Sequence, residues 1–178
     1  MQRLKIMLLA GLFTVAFLIV LSPTIAQQDK SNRPSPPKQV SGTVDGVNIT
    51  IDYSSPAVKN RTIFGGLESY GKVWRAGANE ATWIEVSDDV KINGELLPKG
   101  KYAFFIIPNE NQEWTIIFNS KWDQWGAYNY DESLDVLRVE VKPTTVKHTE
   151  RLEYTIAKNG KVTMNWSTTS VPFRISSK

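Results

Sequence analysis

The chain has no cysteine and a single histidine, His148, among 178 residues. Without thiols there are no disulfides, no thiolate metal sites and no lipid attachment through cysteine. A zinc site needs three or four N, S or O ligands, and no cluster of them surrounds His148, which reads as an exposed loop residue. A Ser–His–Asp site would rest on that one histidine, and there is no Gly-x-Ser-x-Gly elbow. No glycine-rich loop opens a helix, so nucleotide binding lacks its usual carrier. A calcium site built from Asn129, Asp131, Glu132 and Asp135 lacks the regular Asp-x-Asp spacing of known loops. No cofactor is implied.

Only one long hydrophobic run is present, Ile6–Leu21. Arg3 and Lys5 precede it, and Ser22-Pro23 ends it. Thr24-Ile25-Ala26 offers small residues at a cleavage site, which is the pattern of a secretory signal peptide over residues 1–26. The run falls short of the ~20 residues of a spanning helix. An uncleaved anchor would be the one route to a membrane, and cleavage after Ala26 implies a periplasmic or secreted protein. Removing the segment takes two of the 21 basic residues and leaves 19 against 18 acidic ones. Nothing then favours nucleic acid as a partner. The remaining length of about 150 residues suits one domain with a real core.

Residues 27–38 hold Pro34, Pro36 and Pro37 among polar residues and read as a mobile leader. Residues 39–178 form the domain. Asp45-Gly46 is a hairpin turn, followed by Val47, Ile49, Ile51 and Tyr53 alternating with polar residues, a half-buried strand. Strand alternation resumes over Thr82–Ser87, and Val90–Ile92 with Glu95–Leu97 flank Asn93-Gly94 as a tight hairpin. Tyr102–Ile107 is a continuous apolar run, expected to be buried on both faces. Trp114–Phe118, Asp135–Val141, Arg151–Ala157 and Lys161–Trp166 follow. Val171–Ile175 makes a short last strand, expected at an edge because Pro172 cannot donate to a ladder. Nine or ten strands and no long amphipathic helix after the signal segment predict an all-β, antiparallel β-sandwich, with a closed barrel as the alternative.

The 27-residue connection Ser55–Ala81 is far longer than the usual ~4–6 residues. It is too apolar for disorder, and a helical turn is possible near Glu68–Lys72. Its end, residues 72–82, sets Trp74, Arg75, Asn79 and Glu80 around a flexible Gly77. A second loop, residues 121–132, carries Trp122, Trp125, Tyr128, Tyr130 and Asp131. Flat aromatics beside amides and carboxylates suit a glycan, whose ring face stacks while its hydroxyls are hydrogen-bonded. The plainer reading is that these aromatics plug the end of the core. Arg75 either grips an anionic or polyhydroxyl ligand through its planar fork or bridges Glu80, Asp131 or Asp135 structurally. The expectation is a non-enzymatic module that binds a glycan or envelope component through both loops. The alternatives are a hydrolase using Glu80 with Asp131 or Glu132 and a structural or protein-interaction domain.

Several stretches also carry a resemblance: Ser35-Pro36-Pro37, Val44–Val47, Asp52–Pro56, Gly71–Thr82, Leu97–Tyr102, Trp114–Phe118, Trp125–Tyr128 and Tyr130-Asp131. Together they resemble an uncharacterised family of exported bacterial proteins catalogued as domain of unknown function 2911. The resemblance covers nearly all of the chain after the signal segment. It implies export and one β-rich domain, and it brings no catalytic residue.

Overall fold

A computed structural model describes Lys30 and residues 32–178. Residues 1–26, read from sequence as a signal peptide, and most of residues 27–31 lie outside the described residues. Ten strands build two antiparallel sheets. The larger sheet has the order β1-β2-β3-β6-β7-β8, formed by Pro37–Val44, Val47–Ser54, Trp83–Val86, Gly100–Ile107, Trp114–Asn119 and Asp135–Val141. The smaller has the order β5-β4-β10-β9, formed by Glu95–Leu97, Val90–Ile92, Lys161–Ser177 and Thr144–Ile156. The fold class is the expected all-β sandwich.

Turn chemistry sets the hairpins. Asp45 and Gly46 have φ of 48° and 84°, and Asn93 and Gly94 have 49° and 100°. Two successive positive φ values give the twist that a two-residue hairpin needs. Period two then sorts the side chains. Ile49, Ile51, Ile84, Phe104, Ile116 and Phe118 of the larger sheet meet Leu152, Met164, Trp166 and Phe173 of the smaller. β6 is buried on both faces, as its apolar run predicts. Phe104 and Ile106 point to the main core, while Ala103 and Phe105 point outward and join Ile117 in a second cluster. That outer cluster is covered by Val73 from the long connection and by Ala127 and Tyr130 from the aromatic loop. Both candidate loops therefore lie against the outer face of the larger sheet.

Three local expectations change. The stretch Val171–Ile175 is not an edge strand, because β10 lies between β4 and β9. Pro172 falls between Ser170, the last residue paired with β9, and Ile175, the first paired with β4. β10 also turns back on itself near Ser167, where φ is 55° and the register shifts. Ile175 N donates to Gly160 O at 2.8 Å, although a straight strand would hold the two ~50 Å apart. No helical turn forms at Glu68–Lys72; the only helix among the described residues is a 3-10 turn at Glu132–Leu134. His148 sits on β9 rather than in a loop, exposed and 3.1 Å from Glu150. The first half of β9 is polar on both faces, and so it shows no alternation in sequence.

Candidate binding site

The long connection is anchored where it passes β6. Trp74 exchanges two backbone hydrogen bonds with Ile106, at 2.8 and 2.9 Å. Directly paired residues share a face, and Ile106 faces the core. Trp74 is therefore driven inward and is only 3 % exposed. Its ring stacks on Trp166 at 5.7 Å, and its Nε1 donates to Gly77 O. Trp74 is core and cannot contact a ligand. The backbone after it is held in place. Ala76 has φ of 51°, and its carbonyl accepts from Tyr154 OH and Thr82 Oγ1. Gly77 is not a hinge, because a Cβ there would lie 2.7 Å from Thr82 Oγ1.

Arg75 leaves on the opposite side of the chain from Trp74. It runs beneath the aromatic loop, with Nη1 3.7 Å from where a Gly126 Cβ would lie. Among the described residues it makes no ion pair with Glu80, Asp131 or Asp135, so the expected bridge is absent. The acidic group it acts on is Glu68. Burial pushes the Glu68 carboxyl up to about 7, against the pull of Arg75 and Arg61.

The two loops do meet. Ala81 N donates to Gln124 O at 3.0 Å and Gly126 N to Asn79 O at 3.1 Å, with Glu80 and Trp125 bridged as in an antiparallel ladder. A third segment joins them. Residues 32–36, read from composition as mobile leader, lie against this junction, and β1 already begins at Pro37. Arg33 donates to both Glu80 oxygens at 2.9 and 3.0 Å, and Lys30 lies 2.9 Å from Glu80 Oε1. Asn79 Nδ2 donates to Ser35 O, and Ser55 N to Pro36 O. Burial alone would raise Glu80. The hydrogen bonds from Lys30 and Arg33 outweigh it and bring the carboxyl down to about 2.

A cavity of about 180 Å³ opens beside this junction. Trp83 and Trp122 wall it, with Asp52, Glu80, Asp123 and Gln124 among its other lining residues. The Lys101 ammonium lies 3.5 Å from the Trp83 ring centroid and 3.8 Å from that of Trp122. This double cation–π contact fixes both rings. Burial raises the Asp52 carboxyl above its usual range. Gln124 donates to Lys121 O, but its buried Oε1 has no partner among the described residues, and the same holds for Arg75 Nε. Trp122 is 39 % exposed, Trp125 53 % and Tyr128 82 %. Arg33 lies over the Trp125 ring at 5.9 Å.

Tyr130 and Asp131 serve the loop itself. Tyr130 packs edge-on against Phe105 at 5.2 Å, donates its hydroxyl to Asp135 and accepts from Arg138. Burial and the bond to Asp135 push that phenol up to about 12. Asp131 caps the 3-10 turn by accepting from Ser133 N and Oγ, which holds it below the usual carboxylate range. Glu132 pairs with Arg138 at 3.2 Å. Among the described residues no three His, Asp or Glu side chains converge on a metal position.

The candidate set thus divides. Asn79, Glu80, Trp122 and Trp125 come together at the junction, and Tyr128 stays out in solvent. Trp74, Tyr130 and Asp131 are architecture, and Arg75 lies under the loop. Sequence reasoning missed Asp52, Trp83, Lys101 and Gln124. The first three had a readable signal, since strand alternation places Asp52 and Trp83 on the outward face as a paired couple with Lys101 close by.

The profile of a family described as Protein of unknown function (DUF2911) matches residues 35–175. The chain belongs to this family. The match takes in both loops and the docked residues 35–38, so the junction is inside the family's domain. No curated protein and no solved structure matches the chain.

Proposed function

We propose that this protein is an exported, non-enzymatic module that binds a glycan or another cell-envelope component at the junction of residues 72–82 and 121–132. The observation that carries the reading is the cavity that Trp83 and Trp122 wall, with Asp52, Asp123 and Gln124 among its lining residues. The Trp122 face supplies stacking, and Asp52 and Asp123 supply acceptors for hydroxyls. The cavity is smaller than the ~300–1,000 Å³ of sites that enclose a whole drug-sized ligand. It suits one sugar ring or end group, with the rest of a chain lying over Trp125 and Tyr128.

A hydrolase built on Glu80 has less support. A general acid must hold a proton near neutral pH, and Glu80 and Asp131 are both held ionised. The test of the binding reading is calorimetric titration with peptidoglycan-derived and capsular oligosaccharides. The double substitution Trp122→Ala/Trp125→Ala should abolish binding and leave the fold intact. Unchanged affinity for every ligand that binds, with unchanged stability, would refute the reading.

A further inference from the structure

A second cavity shares no lining residue with the junction cavity. It is a groove of about 590 Å³ at the other end of the β6–β7 pair, between the turn 108–113 and the β8–β9 turn. Its volume falls within the ~300–1,000 Å³ range of small-ligand sites. We propose that this groove is a second binding site, specific for an uncharged oligosaccharide.

One wall is a turn braced by its own side chains. Asn109 Nδ2 donates to Glu113 O, and Asn109 O accepts from Trp114 Nε1, each at 2.8 Å. Asn111 sits in the left-handed region with φ of 54°, and Asn111 and Gln112 line the groove from this turn. Gly71 N donates to Pro108 O at 2.8 Å, which ties the long connection to the same turn and brings in Tyr70. The Tyr70 ring is 37 % exposed but not free. A Cβ on Gly65 would lie 2.6 Å from Tyr70 Cε2, so the ring rests against bare backbone at Gly65. A preset aromatic face on the rim of a groove is what a sugar ring stacks on.

The facing wall carries hydroxyls. Thr144 and Thr145 begin β9, and Thr169 pairs across from Thr145 on β10. Amides and hydroxyls each donate and accept, which matches the mixed character of sugar hydroxyls. Charge selects the class. Among the described residues, Glu113 and Lys142 are the only charged ones lining the groove, and they cancel. A phosphorylated or uronic-acid chain would need an excess of cations, and an apolar ligand would need an apolar wall. Asn111, Gln112, Thr144 and Thr145 are exposed, so sugar hydroxyls need only replace water on them.

The experiment is a ¹H–¹⁵N NMR titration of the protein with chitotetraose, maltotetraose and cellotetraose, with tetragalacturonate as the anionic control. At least one neutral tetrasaccharide should give saturable shifts at residues 108–113 and 142–145. Tyr70→Ala should weaken that binding about tenfold or more, equivalent to ~1.4 kcal/mol. The exposed pair Asn111→Ala/Gln112→Ala should do the same and guards against misfolding of the tyrosine variant. Trp122→Ala should leave it unchanged. The proposal is overturned if no neutral tetrasaccharide shifts these residues, if only tetragalacturonate does, or if the shifts stay at residues 122–126. The last result would leave the junction site standing and remove this one alone.

Discussion

The connection 55–81 and the loop 121–132 both set tryptophan and tyrosine beside charged residues, yet they deliver these side chains to different places. Trp74 exchanges backbone bonds with Ile106, a core-facing residue of β6, and its ring is carried inward. Trp125 is bridged only to Glu80, a loop residue outside the sheet, and its ring stays half exposed. The identity of the backbone partner, more than the identity of the side chain, decides whether an aromatic becomes core or surface. The same rule divides the two ends of the aromatic loop. Tyr130 lies on Phe105 and is tied down by Asp135 and Arg138, whereas Tyr128 touches little.

The sharpest way to break this contrast is truncation of the two tryptophans. Trp74→Ala should lose about 3–5 kcal/mol in urea unfolding, as for buried aromatics. Trp125→Ala should lose less than about 1 kcal/mol. Equal losses would mean that the loop is core after all.

A smaller effect tests the half-buried acid of the long connection. The Glu68 carboxyl has a folded pKa of about 7, above its ordinary 4.5. A raised carboxyl contributes stability that is fully present below the unfolded value and is lost as pH rises through the folded one. Glu68→Gln should therefore stabilise the protein at pH 8 by about 1–2 kcal/mol, since solvent screens part of the shift, with little gain at pH 4. A pH-independent effect in thermal unfolding would show that Glu68 is solvated.

Next comes the anchor of the aromatic loop. Tyr130→Phe removes a hydroxyl shared by Asp135 and Arg138 and should cost about 1–2 kcal/mol. It should also speed amide exchange across residues 127–134. Unchanged exchange would mean that the loop is held by Phe105 packing alone.

The smallest effect concerns the docked leader. Arg33→Ala removes a partly exposed ion pair and should cost less than about 1 kcal/mol, while exposing residues 32–36 to protease. The Glu80 carboxyl, at about 2 against an ordinary 4.5, stabilises docking above the upper value, and that contribution is lost as pH falls through the lower one. Leader protection by hydrogen exchange should thus fade between about pH 4.5 and pH 2. Protection that persists below pH 2 would place the hold on Asn79 and Ser55 instead.

Strand alternation made the architecture legible, because Val47–Ser54, Thr82–Ser87 and Asp135–Val141 each bury one face. The first half of β9 escaped because it buries neither face. The two loops were legible as a pair of places, since glycines, aromatics and charges gather there outside any period. Which rings face solvent was not legible, because it depends on the pairings 74–106 and 80–125, set by distant segments. The leader was read as mobile from its prolines and polarity. Composition cannot report Arg33 and Lys30 finding Glu80 nearly fifty residues away.

That docking also fixes where handles can be attached. The chain enters the domain beside Glu80 and Trp125, so a tag or surface linkage placed just ahead of Lys30 would crowd the junction. The other terminus lies by Asp45 and Asp89, where Ser177 N and Lys178 Nζ are bound. Asp45 is seven residues along β1–β2 from the Asp52 that lines the junction cavity, about 20 Å of extended chain. Immobilisation through the carboxyl end leaves the junction facing the solution, and sensor measurements of ligand capture should be built that way round.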